Sequence, residues 1–487
     1  MAGNRPLWWW ISALGGGALA GAALPPWGCP PVLWLALIPL WALGPGAAAL
    51  WAGAAVLVSH RWLLWLHPLD WVGVPLPLSL PVCVLLWGAC AGLGALLVAG
   101  WRWLVLRLGA EQLATALLAA ALWGLAEVLL AGGPLFWIGL GSAALPGDRA
   151  LAGLAQWLGA GGLAALQLLI SWGLWRLLAA VVAERRGTAR LALLWLVLVL
   201  AGHGLGWQLL GQALPAGDGD WRSLLVLQPA IPTRRKFDWD QQQALLHRLA
   251  IAQDQAEALQ VQALLLPEGA LALGQDLPKP AAVQVLSGGF RQSDEQLRSA
   301  LLLFPPGQQL FSAALDKHRL VPLGEWIPGG AWLQWAGLSA VGGVTPGPSS
   351  RLLPRPQGAI AVAICYELAD GRALAAASAQ GAEWLLASAN LDPYPLQLQR
   401  QFAALAQLRA IETGRWLVSA ANTGPSLVVD PTGAVRQQLP PARAGTLPVQ
   451  LQALHQRTGY SRWGDTPLLL LALAGLILRA RSWMRQS

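Results

Sequence analysis

Seven apolar runs crowd the first 212 residues, and an eighth, TPLLLLALAGLILRARSW, nearly closes the chain. A helix needs about 20 apolar residues to cross a bilayer. By that measure spans are expected over 7–24, 31–43, 47–66, 76–98, 112–130, 151–182, 191–210 and 467–478. The second is short and can form a hairpin with the first, so the count is seven or eight. Inside hydrocarbon only helices and closed barrels satisfy their own backbone polar groups, and runs of this length make helices. Charged residues are 11% of the 487 positions, against about a quarter in soluble domains. More spans follow the first directly and no polar mature start appears, which argues against a cleaved signal peptide.

The apolar character stops near Asp218 and resumes after Arg462. The expected plan is a transmembrane bundle over 1–212, an extracytoplasmic α/β domain over 218–460 and a returning C-terminal helix over 466–482. Arginines orient it, because short cytoplasmic loops retain positive charge. Arg5 precedes the first span, Arg102 and Arg107 fall between the fourth and fifth, ERRGTAR separates the sixth and seventh, and Arg479, Arg481 and Arg485 follow the last. With eight spans all four groups lie on one side, so both termini are cytoplasmic and the soluble domain is outside. The net charge of +8 then reflects topology and attraction to anionic lipid rather than nucleic-acid binding. Many of the 29 tryptophans stand near span ends, as in LWWW and HRWLLWLHPLDW, where interfacial belts form.

Within the outside segment the local signals alternate. SLLVLQPAI reads as a strand, DWDQQQALLHRLAIAQDQAEAL as an amphipathic helix, and VQALLLPEGAL as a strand ending in a Pro-Glu turn. Two strands around a Pro-Gly turn follow, then the strand GAIAVAICYE, the helix GRALAAASAQG, the strand AEWLLASAN, the helix QLQRQFAALAQLRAIETG and a set of strands with turns from Arg415. Alternating strand and helix argue for an α/β domain with buried sheets. The stretch WIPGGAWLQWAGLSAVGGVTPGPSS is too long for a connector and reads as a lid or as disorder.

Three polar residues each close an apolar strand: Glu268 in LLLPEG, Lys317 after FSAALD, and Cys365 in IAVAIC. Alone, a Cys in an apolar strand is a small buried hydrophobe, a strand-end Glu is a turn residue, and a Lys beside Asp316 is a solvated one. Together they suit nucleophilic acyl chemistry. A thiol of pKa about 8.5 is a weak nucleophile until a base or cation yields the thiolate, and a developing oxyanion needs positive charge or donors. Cys29, Cys83 and Cys90 lie in or beside spans, so Cys365 has no disulfide partner in its own domain. The six histidines show no paired metal-ligand spacing, and no Gly-rich strand-helix loop suggests a nucleotide; no cofactor or metal is expected.

The order PEG, DKHRLVPLGEWIP, CYE in a polytopic chain resembles the carbon-nitrogen hydrolase (nitrilase) superfamily, and with the spans it resembles the bacterial apolipoprotein N-acyltransferase family over essentially the whole length. The resemblance implies an α-β-β-α sandwich in the inner membrane, with Glu268 as general base, Lys317 as oxyanion and thiolate stabiliser and Cys365 as nucleophile. It places Glu325 and Glu367 at further acidic positions and Tyr366, whose backbone N–H is an oxyanion donor, after the nucleophile. The implied reaction is ping-pong transfer from a phospholipid acyl donor, through a thioester, to the α-amine of a diacylglyceryl apolipoprotein. Phe237, Trp326 and Asn390 are the implied substrate-binding residues, and the loop with Trp326, Trp332 and Trp335 either admits acyl chains or packs internally. The chain departs from the family at Phe237 in place of Trp, at SANLDPYP in place of a SNDAWFG-like run, and at Phe402 in place of His. Arg409, Glu412 and Arg415 are explained by a salt-bridged helix face. The rivals are a membrane-bound amidase that hydrolyses its acyl group, and a transporter or sensor. The spans hold few ionisable groups apart from His60, Arg61 and Glu127, where a transport path would need them.

Overall fold

The computed structural model describes residues 7–69, 74–213, 220–235, 238–322, 324–326, 343–392 and 394–484. Arg5, Phe237, Arg485 and the stretch 327–342 with Trp332 and Trp335 lie outside the described residues.

The first part is helical. It comprises α1 (Leu7–Ala23), α2 (Pro30–Ala36), α3 (Ile38–Ala42), α4 (Pro45–Ser59), α5 (Leu76–Leu108), α6 (Leu113–Ala131), the single turn α7 (Arg149–Ala152), α8 (Ala155–Val182) and α9 (Thr188–Gly211). A helix near the C-terminus, Thr466–Met484, returns to pack against α6. Among the described residues five helices, α5, α6, α8, α9 and Thr466–Met484, are long and apolar enough to cross a membrane. The expected second span is two short helices, α2 and α3, each with a proline in its first turn, where the missing N–H costs nothing. Small residues set the close crossings: a Cβ on Gly124 would stand 2.4 Å from the Gly161 carbonyl oxygen, the small-residue contact that membrane helices use.

Arg102 and Arg107 do not lie in a loop after residue 98, because nothing breaks the helix before Gly109 at φ +83°. Both ride on the last two turns of α5, and Arg102 is buried, its Nε donating to the Leu43 carbonyl at 2.5 Å.

The soluble part holds two six-stranded sheets. The first runs β12-β1-β2-β3-β4-β5 and the second β11-β10-β9-β8-β7-β6. Their ranges are β1 Trp221–Gln228, β2 Ala263–Leu271, β3 Gln284–Ser293, β4 Gln296–Phe304, β5 Ala313–Asp316, β6 Leu352–Leu353, β7 Ile360–Ile364, β8 Trp384–Ala389, β9 Leu417–Ala421, β10 Leu427–Val429, β11 Val435–Gln438 and β12 Gly445–Gln452. β1, β2 and β3 pair in parallel, as do β7, β8 and β9. Alternation along the strands builds the layers. Leu224, Val226 and Leu265 of the first sheet meet Val362, Ile364 and Leu386 of the second in one core. Their neighbours Leu225, Leu227, Leu264 and Leu266 face the other way, onto α10 (Trp239–Ala258).

The outer layer on the second sheet is α11 (Gly371–Ala379) and α12 (Leu396–Thr413). α12 is buried on both sides. Leu398, Phe402, Leu405 and Ala410 join the sandwich core, while Ala404, Leu408 and Ile411 join a cluster with Leu145, Leu151 and Leu163 of the bundle. Its polar residues are therefore interfacial: Gln401 donates to the carbonyls of Pro25 and Ser59 at 3.2 and 3.3 Å.

Candidate active site

β2 does not end at its Pro-Glu pair. It continues to Leu271 through a shift in pairing with β3 between Leu266 and Leu271. Pro267 has no N–H to give and Gly269 adopts φ +63°, the conditions for a bulge that re-aims a side chain. Gly288 of β3 makes room, since a Cβ there would lie 2.4 Å from the Glu268 Cα. The bulge turns Glu268 toward Lys317.

Lys317 is the first residue past β5, its backbone N–H bonded to the Ser299 carbonyl at 2.8 Å. Its Nζ donates to Glu268 Oε1 at 2.6 Å and to Glu325 Oε1 at 2.8 Å, with the side chain 1% exposed. Glu268 Oε2 accepts from the Asn390 N–H at 3.0 Å and Glu325 Oε2 from the Val321 N–H at 2.9 Å. Burial works to lower the Lys317 pKa, but the carboxylates of Glu268 and Glu325 win and hold it well above its ordinary value. Burial, with Glu268 nearby, pushes Glu325 up, against the pull of Lys317.

Cys365 follows β7 at φ +53°, opening the short 3₁₀ turn Cys365–Ala369. A left-handed non-Gly residue costs about 1–3 kcal/mol and survives only where its surroundings impose it. The imposing group is Glu367, which is 2% exposed. Its Oε1 accepts from the N–H groups of His318 (2.7 Å) and Arg319 (3.2 Å), its Oε2 from that of Ile364 (2.8 Å), and both from Arg351 Nη1 at 2.8 and 2.9 Å. One carboxylate thus ties the end of β5 to the end of β7. The pKa of the Cys365 thiol, which Glu268 and Lys317 both influence, stands well above the ordinary value. Burial is the main cause, the negative charges of Glu268 and Glu325 add to it, and Lys317 opposes. The resting group is a neutral thiol with a carboxylate in reach of its proton.

The other expected residues are placed unevenly. Tyr366 is buried, its hydroxyl 3.5 Å from that of Tyr394 in the LDPYP run. Asn390 reaches Glu268 through its main chain, while its side chain is taken up by Thr233 and Asn422 at 3.0 Å each. Trp326 is half exposed beside Glu325. Three participants had no signal in their local sequence. Arg351 braces Glu367, Arg319 Nη1 donates to the Tyr366 carbonyl at 3.2 Å and its Nη2 to the Gly133 carbonyl in the bundle, and Phe136 from the segment after α6 packs 5.0 Å from both Tyr366 and Phe402. Phe402 lies parallel to Phe136 within 9°, and Trp62 meets both Phe136 and Tyr394 edge-on. The membrane part therefore supplies an aromatic wall beside the thiol.

Comparison with known proteins supplies the context. A family model described as carbon-nitrogen hydrolase matches residues 251–460. A Prochlorococcus marinus protein named apolipoprotein N-acyltransferase is 52% identical over 96% of each chain, and a Gloeobacter violaceus protein of the same name is 33% identical over 96% of this chain and 93% of its own. Among solved structures, a mutant of the Nesterenkonia AN1 amidase from the nitrilase superfamily is 19% identical, covering 53% of this chain and 98% of its own at a TM-score of 0.36.

Proposed function

Because this chain belongs to the apolipoprotein N-acyltransferase family, we propose that it transfers an acyl chain from a membrane phospholipid, through a thioester on Cys365, to the α-amine of the S-diacylglyceryl-cysteine that begins an apolipoprotein. The observation that carries this reading is the buried Lys317 bonded to two carboxylates, Glu268 and Glu325, beside a buried Cys365 whose thiol feels the charges of all three.

In the first half-reaction Glu268 takes the thiol proton as sulfur attacks the ester carbonyl. The oxyanion forms against the Lys317 ammonium and the Tyr366 backbone N–H, which is the positively charged, water-poor setting that lowers such a barrier most. The ester C–O bond then breaks, Glu268 returns the proton to the leaving oxygen, and a lysophospholipid departs. In the second half Glu268 takes a proton from the acceptor amine as its nitrogen attacks the thioester. The C–S bond breaks, and the thiol regains its proton. Glu325 and Glu367 hold Lys317 and the Cys365 turn in place, and Phe237, Trp326 and Asn390 are assigned to the substrate.

The topology proposed with this function has seven or eight spans over 1–212 and 466–482, both termini in the cytoplasm, and the segment 218–460 on the periplasmic side of the inner membrane, where the acceptors lie. The arginines of the loops support that orientation. Intact-mass measurement of the protein in phospholipid bilayers, beside Cys365→Ala, tests the chemistry. The expected result is an acyl adduct released by hydroxylamine on the native chain and none on the variant. An adduct that turns over in water as fast as with a lipoprotein acceptor would make the enzyme an amidase-like hydrolase instead. No adduct on the folded native chain would remove the thioester altogether.

A further inference from the structure

A groove of about 840 Å³ runs between α6, α8 and α9, and its charged mouth lies at the N-terminal end of α9, away from the end that leads into the soluble part. We propose that it is a binding site for an anionic phospholipid of the leaflet remote from the soluble domain. Connectivity fixes that leaflet: α9 leads into β1 at its C-terminal end, and the groove's charged mouth is at its N-terminal end. At the mouth stand Arg176, Arg185, Arg186 and Glu111, three cations to one anion. Glu111 is engaged by Arg176 at 2.8 Å, and among the described residues no carboxylate forms an ion pair with Arg185 or Arg186. Both arginines are exposed at the α8–α9 turn.

Below the mouth the lining turns apolar, through Leu117, Leu169, Leu194 and Leu198, as far as Gly202. From Thr188 to Gly202 the groove follows α9 for about 20 Å at ~1.5 Å per residue, which exceeds one leaflet of a hydrocarbon core ~30 Å thick. Its walls are fixed rather than collapsible. The Trp195 indole N–H donates to the Ile170 carbonyl at 2.9 Å, and its ring sits over Gly173, where a Cβ would come within 2.7 Å. A slot one acyl chain deep with a cationic rim matches a lipid with an anionic head group. Basic pockets between membrane helices on the cytoplasmic side bind such head groups.

The test is native mass spectrometry of the delipidated full-length protein incubated with phosphatidylglycerol or with phosphatidylcholine of the same chains. Wild type is expected to retain phosphatidylglycerol preferentially. R185Q/R186Q should lose roughly 30-fold of that retention, from about 1 kcal/mol per basic residue at an anionic surface. Leu194→Trp, which fills the groove without changing charge at a half-exposed position, should weaken retention as well. Equal retention of the two lipids, or a Leu194→Trp variant that keeps wild-type retention while R185Q/R186Q loses it, would overturn the site and leave only diffuse surface attraction. Unchanged thermal unfolding of both variants keeps misfolding out of the comparison.

Discussion

Glu367→Gln is the sharpest test of how the site is held. The substitution keeps size and removes charge. Whichever carboxylate oxygen becomes the NH₂ group, it faces only donors: His318, Arg319 and Arg351 on one side, Ile364 and Arg351 on the other. At least two hydrogen bonds become donor–donor contacts, and Arg351, 3% exposed, loses its counter-charge. Removing one partner of a buried ion pair costs about 3–5 kcal/mol. At about 2–4 °C per kcal/mol for a unit of 150–250 residues, the melting temperature of the soluble part should fall by roughly 6–20 °C. Thermal unfolding in nanodiscs reads this directly. Acylation of Cys365 should slow in parallel, because the same carboxylate holds Lys317's strand end to the Cys365 turn. An Arg351→Met, Glu367→Gln double variant should lose less than the sum of the singles, since the second change no longer strands a charge. A single Glu367→Gln variant that melts within about 2 °C of wild type, less than 1 kcal/mol, and acylates at the native rate would refute the bracing argument.

Lys317→Met should reduce acyl-enzyme formation by at least about 10²–10³, the usual loss of one oxyanion donor, and a burst of native size would remove the lysine from the mechanism. Gly288→Ala forces a methyl against the Glu268 main chain and should cost about 1–3 kcal/mol by overpacking, with slower acylation; a neutral result in both readouts would mean that the β2 bulge can shift freely. Glu412 is buried among Arg409, Asp370, Asp465 and Tyr460, and burial, opposed chiefly by Arg409, raises its pKa to about 7. A raised folded pKa stabilises fully below the unfolded value and loses that contribution as pH climbs through the folded one, here between about 4.5 and 7, worth at most roughly 3 kcal/mol. Melting temperatures taken from pH 5 to 7 should therefore slope down more steeply in wild type than in Glu412→Gln, and parallel curves would contradict it.

Local pattern carried the strand-helix alternation from SLLVLQPAI to ANTG, and with it an α/β domain, because apolar alternation and turn residues are local quantities; the two-sheet sandwich came only with the family resemblance. Local pattern failed where a residue serves two elements at once. PEG read as a stop because Pro and Gly punctuate chains, yet in the fold they make a bulge inside β2. β3, with Gly288 and Gly289 in its middle, goes unassigned by local pattern, although those glycines are what let β2 approach. Arg409 and Glu412 read as a salt-bridged face of α12, and they do pair at 2.8 Å; local pattern does not show that the bundle covers that face, leaving them 2% and 0% exposed. No short-range rule could assign Arg351 to Glu367, 16 residues away across a strand.

The same covering of α12 explains why spans and site belong to one chain. A tether alone would need one helix. Here the bundle enters the site's surroundings: Phe136 stacks on Phe402 and packs against Tyr366, Trp62 meets Tyr394 edge-on, and Arg319 bonds the Tyr366 and Gly133 carbonyls together. Glu127, which a transport path would have claimed, instead accepts from the Trp123 indole and the Leu140 N–H at 2.8 Å each, anchoring the segment that presents Phe136. Phe402 follows from this arrangement. A polar ring there would face Phe136 at 5.0 Å with no donor or acceptor opposite it, whereas two phenyl rings in near-parallel contact complete an apolar wall. Phe402 is thus matched by the aromatic it meets, and the surroundings of the site are set jointly by the membrane helices and the sandwich.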